Sequence, residues 1–404
     1  MLNEALFDEA RALAGEITAL RRAIHAEPEL GLNTPRTRDK VRAALANLPL
    51  EWSEGPSTTG LVATLKGGAG EGRCVLLRGD MDALPMPEET GLDFASTIPG
   101  TMHACGHDAH TAMLAGAGRL LCDRRAALKG EVRFMFQPGE EGHHGARFML
   151  EDGLLGGTAG HPLPDAAFAL HVMPNAQHGQ VAGRAGALMA AADPFQIVVR
   201  GRGGHASMPH FALDPVPVAA EIVMALQSAV TRQFDAHDPV VCTIARIDAG
   251  TTHNVIADTA TLRGTLRSLS PRHRARLHDT VRRVAAGIAA AHGMEAVTEV
   301  TPGFPVTLCD PRAVELGAQT TRTLFGEAAW RALERPIMGA EDFSYVLEQV
   351  PGAMFFLGVA PADADYHACE GIHSTRMMLD ETALPRGAAL LAGLAERFLA
   401  EGFA

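Results

Sequence analysis

The chain has 404 residues, with 35 Lys+Arg against 47 Asp+Glu and a formal net charge of −12. At roughly 100–200 residues per domain this length predicts two or three domains, and 47 % apolar with 20 % charged residues excludes a disordered chain. The acid excess, without a basic stripe, argues against nucleic acid as a partner, but one pocket arginine would still admit a small anionic substrate.

Leu13, Ile17, Leu20 and Ile24 recur at helical spacing and Pro28 follows as a stop, so the chain opens on a helix. A second helix is predicted from about Thr37 to Leu48. Strand-like segments follow at Gly60–Leu65, Cys74–Leu77, Val132–Gln137 and Ala167–Leu170, with a helical face of Met113, Ala117, Leu120 and Leu121 between the second and third. Short apolar strands alternating with helices predict an α/β domain with a mostly parallel central sheet. From about Leu188 the pattern changes to strand, helix, strand, strand, helix, strand. Its strands are Phe195–Val199, Val240–Ile247, Thr259–Leu266 and Met294–Val300, and its helical stripes run through Ile222 and Leu226 and through Leu277 and Val281. That order is the split βαβ, ferredoxin-like pattern. The α/β style then resumes with helices near Pro311–Phe325 and Asp342–Glu348, the strand Met354–Val359 and a last helix from Pro385 to Leu399. The expected organisation is a discontinuous α/β domain, 1–187 and 300–404, with a smaller α+β domain at 188–299 inserted.

Several strands of the α/β part lead into metal or proton chemistry. Cys74–Leu77 runs into Gly79-Asp80-Met81-Asp82, Val132–Gln137 into Pro138-Gly139-Glu140-Glu141, Ala167–Leu170 into His171, and Met354–Val359 through a loop to His373. Ligands of open α/β sheets bind beyond the carboxyl ends of strands, so these groups are placed to converge. Of six cysteines only Cys105 has such company, with His103, His107, Asp108 and His110 within five residues. A thiolate and an imidazole two residues apart suit Zn²⁺ or a similar divalent ion, although Cys-x-His alone also describes a buried thiol beside a helix-start histidine. His103 and His110 read as solvent groups or supports. Adjacent Glu140 and Glu141 at a buried strand end demand a cation or a proton, and an exposed acidic turn is the alternative.

Gly79-Asp80-Met81-Asp82-Ala83-Leu84-Pro85, His103-Ala104-Cys105-Gly106-His107-Asp108 and Gln137-Pro138-Gly139-Glu140-Glu141 together resemble the dinuclear metal amidohydrolases. That family includes hippurate hydrolases, N-acyl-amino-acid deacylases and auxin-conjugate hydrolases. Gly203-Gly204-His205-Ala206-Ser207, Asn254-Val255-Ile256, Gly339-Ala340-Glu341-Asp342-Phe343 and Ile372-His373-Ser374 continue the match. The resemblance implies a metallopeptidase-like catalytic domain with a lid or dimerisation domain. It also implies two divalent ions (Zn, Mn, Co or Ni) held by Cys105, His107, Glu141, His171 and His373, with Cys105 bridging as thiolate. Glu140 would be the general acid/base, Asp82 would orient His107, and His205 would reach a neighbouring subunit's site. Asn254 and Arg267 would form a pair for a substrate carboxylate, and Gly339 would approach it through its N–H. Asp80 stands where more distant relatives carry a histidine ligand and is given no role.

The reaction implied is hydrolysis of an N-acyl amino acid to a carboxylic acid and a free amino acid. A metallo-dipeptidase or carboxypeptidase is the near alternative. A cysteine hydrolase built on Cys105 with His107 or His110 would leave Glu140, Glu141, His171 and His373 without work, and a silent amino-acid-conjugate binding protein would leave every ligand unused. The expected partners are a small N-acyl amino acid and a second copy of the chain as homodimer or higher homo-oligomer, with no nucleic acid and no membrane. An acidic start, four acids in the first 16 residues, lacks a signal pattern and predicts a cytoplasmic protein.

Overall fold

A computed structural model describes residues 5–156 and 163–403. They fall into two compact units. The larger takes in the described chain up to Leu188, Leu308–Arg335 and everything from Asp342 on; the smaller takes in Met189–Thr307 and Pro336–Glu341. The smaller unit thus runs past the boundary drawn at 299 and takes back a segment that sequence style alone assigned to the larger.

The larger unit is built on an eight-stranded sheet in the order Leu50–Glu54, Leu61–Lys66, Glu131–Gln137, Cys74–Asp80, Ala166–Met173, Gly352–Gly358, Val181–Gly183, Trp330–Ala332. Its four central strands are mutually parallel, and Leu61–Lys66 joins them antiparallel. The central strands are near-continuous runs of Val, Leu, Phe, Met and Ala, as strands covered on both faces must be. Cys74–Asp80 is buried along its whole length. The helix His107–Asp123 is almost as buried, its Ala- and Gly-rich sequence letting it pack closely against the last helix, Leu384–Glu401. Register sets the site: Asp80 lies level with Gln137, and His171 with Phe356. Three sequence-drawn elements differ. The second helix is Pro35–Ala44, the helix after Asp342 shrinks to Ser344–Leu347, and His171 lies inside its strand rather than at the end of it.

In the smaller unit Val240–Ala249, Thr259–Ser268, Ala191–Arg200 and Glu295–Val300 form a fully antiparallel sheet in that order, the ferredoxin-like arrangement. Alternate residues of Ala191–Arg200, among them Phe195, Ile197 and Val199, pack with Ile222 and Leu226 of one helix and Leu277 and Val281 of the other. Both helices start cleanly. Asp214 accepts from the Val216 N–H and Ser270 from the His273 N–H, each with proline at the next position.

Candidate metal centre

Cys105 and His107 flank Gly106, whose φ of 84° and whose approach to Val172 both exclude a side chain; a Cβ there would lie 2.3 Å from Val172 Cγ2. The turn therefore presses the Cys105–His107 segment against the strand carrying His171. Cys105 Sγ lies 3.4 Å from His171 Nε2. The ring nitrogen on the other side of His171, Nδ1, is 2.7 Å from the Val172 carbonyl. A carbonyl only accepts, so Nδ1 carries the proton and Nε2 offers a lone pair. His107 is fixed in the same way, with Nδ1 at 2.9 Å from the backbone carbonyl of Asp82. Its Nε2 is buried with no hydrogen-bond partner.

The turn after Glu131–Gln137 delivers the two glutamates. Asp82 holds it: one carboxylate oxygen accepts the Glu140 N–H at 2.9 Å and the other accepts the Glu141 N–H at 3.0 Å. Asp82 contacts His107, the ligand it is expected to orient, and in addition holds the acidic turn. Its backbone carbonyl, not its carboxylate, makes the closer contact to His107, and the carboxylate positions the acidic pair. His373 arrives from the far end of the chain with a φ of 64°, unusual for a residue with a side chain, and its N–H donates to the Ala104 carbonyl at 2.7 Å. Its Nε2 lies 3.1 Å from Glu141 Oε1.

Five side chains from four separate stretches thus form two donor groups: Cys105, His107 and His171 in one, Cys105, Glu141 and His373 in the other, each with ligand atoms within 4.8 Å of one another. Cys105 belongs to both, the position a bridging thiolate occupies between two ions. Glu140 is buried beside them, in a further group with His107 and Glu141. The Cys105, His107, Glu140 and His171 side chains are buried, while the His373 side chain is 49 % exposed and marks the open side.

The electrostatics fit a cation. Burial pushes the Cys105 thiol up to about 12, with His107 opposing. Burial also works against charge on His107, but Asp80 and Cys105 overcome it and raise its pKa well above the usual histidine range. Burial likewise opposes ionisation of Glu141, yet His373 and His107 hold its carboxyl below the ordinary value. Burial, reinforced by His110, keeps His171 neutral. Burial of His107 Nε2 without a hydrogen-bond partner costs free energy that an ion bound there would relieve.

Sequence reading missed part of this centre. His110 and His103, read as solvent groups or supports, are 2 % and 1 % exposed. His110 lies 2.6 Å from a carboxylate oxygen of Asp80, and Arg78, Gln137 and Asp342 form a buried polar network around them. The signal was available: His110 stands one helical turn after His107, on the same face.

The smaller unit holds the other expected residues. His205 pairs with Val255 in a short antiparallel ladder, and the Ala206 N–H donates to the Asn254 carbonyl at 3.1 Å, so His205 and Asn254 are neighbours on an exposed edge. Arg267 is elsewhere. From Thr259 to Arg267 the strand spans about 26 Å at its usual rise of ~3.3 Å per residue. Arg267 thus sits far along an extended strand whose Thr259 end, not its Arg267 end, lies five residues from Asn254. The Gly339 carbonyl accepts from the Ala190 N–H at 2.8 Å, and a Cβ at 339 would come within 3.2 Å of Met189.

The family model for peptidase family M20/M25/M40 matches residues 76–397. The chain belongs to that family. It is 38 % identical over 386 residues to the N-acetylcysteine deacetylase of Bacillus subtilis strain 168, covering 95 % of this chain and 97 % of that protein. It is 36 % identical over 400 residues to thermostable carboxypeptidase 1 of Saccharolobus solfataricus, covering 98 % of this chain and 99 % of that one. Among solved structures, a Bacillus subtilis protein described as a dinuclear metal binding peptidase of the M20 family superposes with a TM-score of 0.83 at 35 % identity, covering 96 % of this chain and 99 % of that chain. As an M20-family hydrolase this chain is a metal-dependent amidohydrolase. No helix among the described residues is long and apolar enough to cross a membrane.

Proposed function

We propose that the chain hydrolyses the amide bond of N-acyl amino acids, of N-acetyl or N-benzoyl type, with two divalent ions held by Cys105, His107, His171, Glu141 and His373. The observation that carries the reading is the pair of donor groups sharing Cys105, with a buried His107 Nε2 that has no hydrogen-bond partner, next to buried Glu140. When bound, two such ions supply the Lewis acidity that makes water a nucleophile at neutral pH and polarises a carbonyl. Glu140 takes the proton of the attacking water on its carboxylate and returns it to the leaving amine nitrogen. Asp82 keeps Glu140 in place through its backbone N–H, so the proton acceptor cannot swing away between the two steps. Glu141, held by the same carboxylate, stays a ligand while its neighbour moves protons.

His205 would hydrogen-bond the oxyanion, and Asn254 and Arg267 would receive the substrate carboxylate, Arg267 as a bidentate fork. In this reading the last two come from different chains, as a homodimer or higher homo-oligomer joined through the lid would place them. Gly339 is the remaining candidate for contact with substrate. Names among the relatives support the substrate class, an N-acetylated amino acid in one case, while another is named a carboxypeptidase.

Metal-depleted protein reloaded with Mn²⁺, Co²⁺, Zn²⁺ or Ni²⁺ is assayed on N-acetyl- and N-benzoyl-amino acids and on dipeptides with a free α-amino group. Chelation is expected to abolish cleavage of the N-acyl substrates and reloading to restore it. Equal or faster turnover of free dipeptides would move the protein to the peptidase reading. Activity that survives chelation but dies on thiol alkylation would move the chemistry to Cys105 itself.

A further inference from the structure

His110 and Asp80 lie against the donor groups, and with His107 they form a third buried set whose ligand atoms are within 4.8 Å of one another. Geometry separates their work from that of the ligands. The Val172 N–H donates to His110 Nε2 at 2.8 Å, so that nitrogen carries a lone pair already in use. Nδ1 then carries the proton and donates it to Asp80 at 2.6 Å. The other oxygen of Asp80 accepts from the Arg78 guanidinium, which also binds Gln137 at 2.8 Å and Asp342 at 3.0 Å. Both nitrogens of His110 and both oxygens of Asp80 are thus engaged inside the protein, whereas His107 Nε2, 3.6 Å from Asp80 Oδ2, has no hydrogen-bond partner. The helix reaches this position because residue 79 is glycine: a Cβ there would lie 2.9 Å from the His110 carbonyl.

The backbone of Val172 is consequently held at both its N–H and its carbonyl. Its N–H is held by His110 and its carbonyl by Nδ1 of His171, so the His171 ring can turn in only one direction, Nε2 toward Cys105. We infer that Asp80 and His110 are a positioning pair, not ligands, which aims His171 at the ion shared with Cys105. The inference rests on the metal-site reading above, and it gives Asp80 a role: it orients an imidazole that orients a ligand. Outer partners of this kind change metal affinity about 10- to 100-fold when removed.

The test uses the full chain titrated with Co²⁺ alone, with two readouts: the visible ligand-field and near-ultraviolet thiolate-to-cobalt bands, and the number and affinity of ions bound against a competing chelator. His110→Ala is expected to weaken one of the two ions about 10- to 100-fold and shift its bands. It should lower kcat by more than about 10-fold with KM changed less than about 2-fold, since substrate groups are untouched. His110→Gln, whose amide oxygen can still accept from Val172, should recover most of both. Asp80→Asn should keep two ions bound, with the same direction of spectral shift. Should His110→Ala fail to fold, His110→Gln and Asp80→Asn carry the test. A wild-type spectrum without a band that disappears in Cys105→Ser overturns the metal-site reading and this inference with it. A normal wild-type spectrum that stays unmoved in the His110 variants overturns this inference alone. Loss of one whole ion in Asp80→Asn overturns it too, because Asp80 would then be a ligand.

Discussion

The proposed reaction gives two adjacent glutamates opposite duties, and the contacts around them bear on that split. One Asp82 oxygen holds each backbone N–H, so the two side chains are presented from a common rigid turn. Glu141 lies among His373, His107 and Cys105, whereas Glu140 is the more buried of the pair. Glu140→Gln is expected to retain both ions and lose about 10²–10⁴ in kcat, the range of a general acid/base. Glu141→Gln should instead lose metal, measured as ion stoichiometry after gel filtration; retention of full stoichiometry would reverse the assignment. Asp82→Ala should depress kcat through both glutamates at once while leaving the His107 contact to the 82 carbonyl intact, and an unchanged kcat would show the turn to be self-supporting. The acidic pair was legible in the sequence because carboxylates at a strand end are costly without a cation. The division of labour came only from the family resemblance, since in physical terms it depends on which way each side chain leaves the turn.

At the level of elements, the start of the His107–Asp123 helix is pinned by charges far apart in sequence. Asp108 accepts from Arg21 at 2.7 Å and lies 2.8 Å from His25 Nδ1, while His25 Nε2 lies 3.1 Å from Glu88. Burial disfavours charge on His25, but Asp108 and Glu88 outweigh it and raise its pKa to about 9. A raised folded-state value stabilises most below the unfolded pKa of roughly 6.5 and fades as pH climbs through the folded value. The stability difference between wild type and His25→Gln should therefore be full below about pH 6.5 and shrink steadily toward pH 9. Chemical denaturation across that range checks it, and a difference that grows with pH would contradict the charged pair. Periodicity revealed the first helix and the Cys105–His110 cluster, but not this bridge, because the partners lie more than 60 residues apart and share no local pattern.

Considered as a whole molecule, each unit has its own interior, and every proposed metal ligand lies in the larger one. Ions that bind only the folded larger unit stabilise it by mass action. Chelation should thus reduce hydrogen-exchange protection in His107–Asp123 and Ala166–Met173 and spare Pro215–Gln233 and Pro271–Ala291; equal loss in both would mean the units unfold as one. The proposed pairing of chains makes a second prediction: dilution that dissociates the oligomer should cut kcat/KM without releasing metal, as followed by sedimentation alongside assay, and a fully active monomer would refute it. The sequence by itself determined the α/β class, the inserted ferredoxin-like unit, the strand-end placement of the acids and the family motifs. These rest on local periodicity, turn chemistry and short spacings, all of which are written in neighbouring residues. Tertiary structure alone brings Cys105 into two donor groups, has Asp82 hold the acidic turn as well as His107, sets Arg267 along an extended strand, and buries His110 against Asp80. Each of these depends on strand register and helix docking, which bring distant residues within hydrogen-bond reach and which no local pattern encodes.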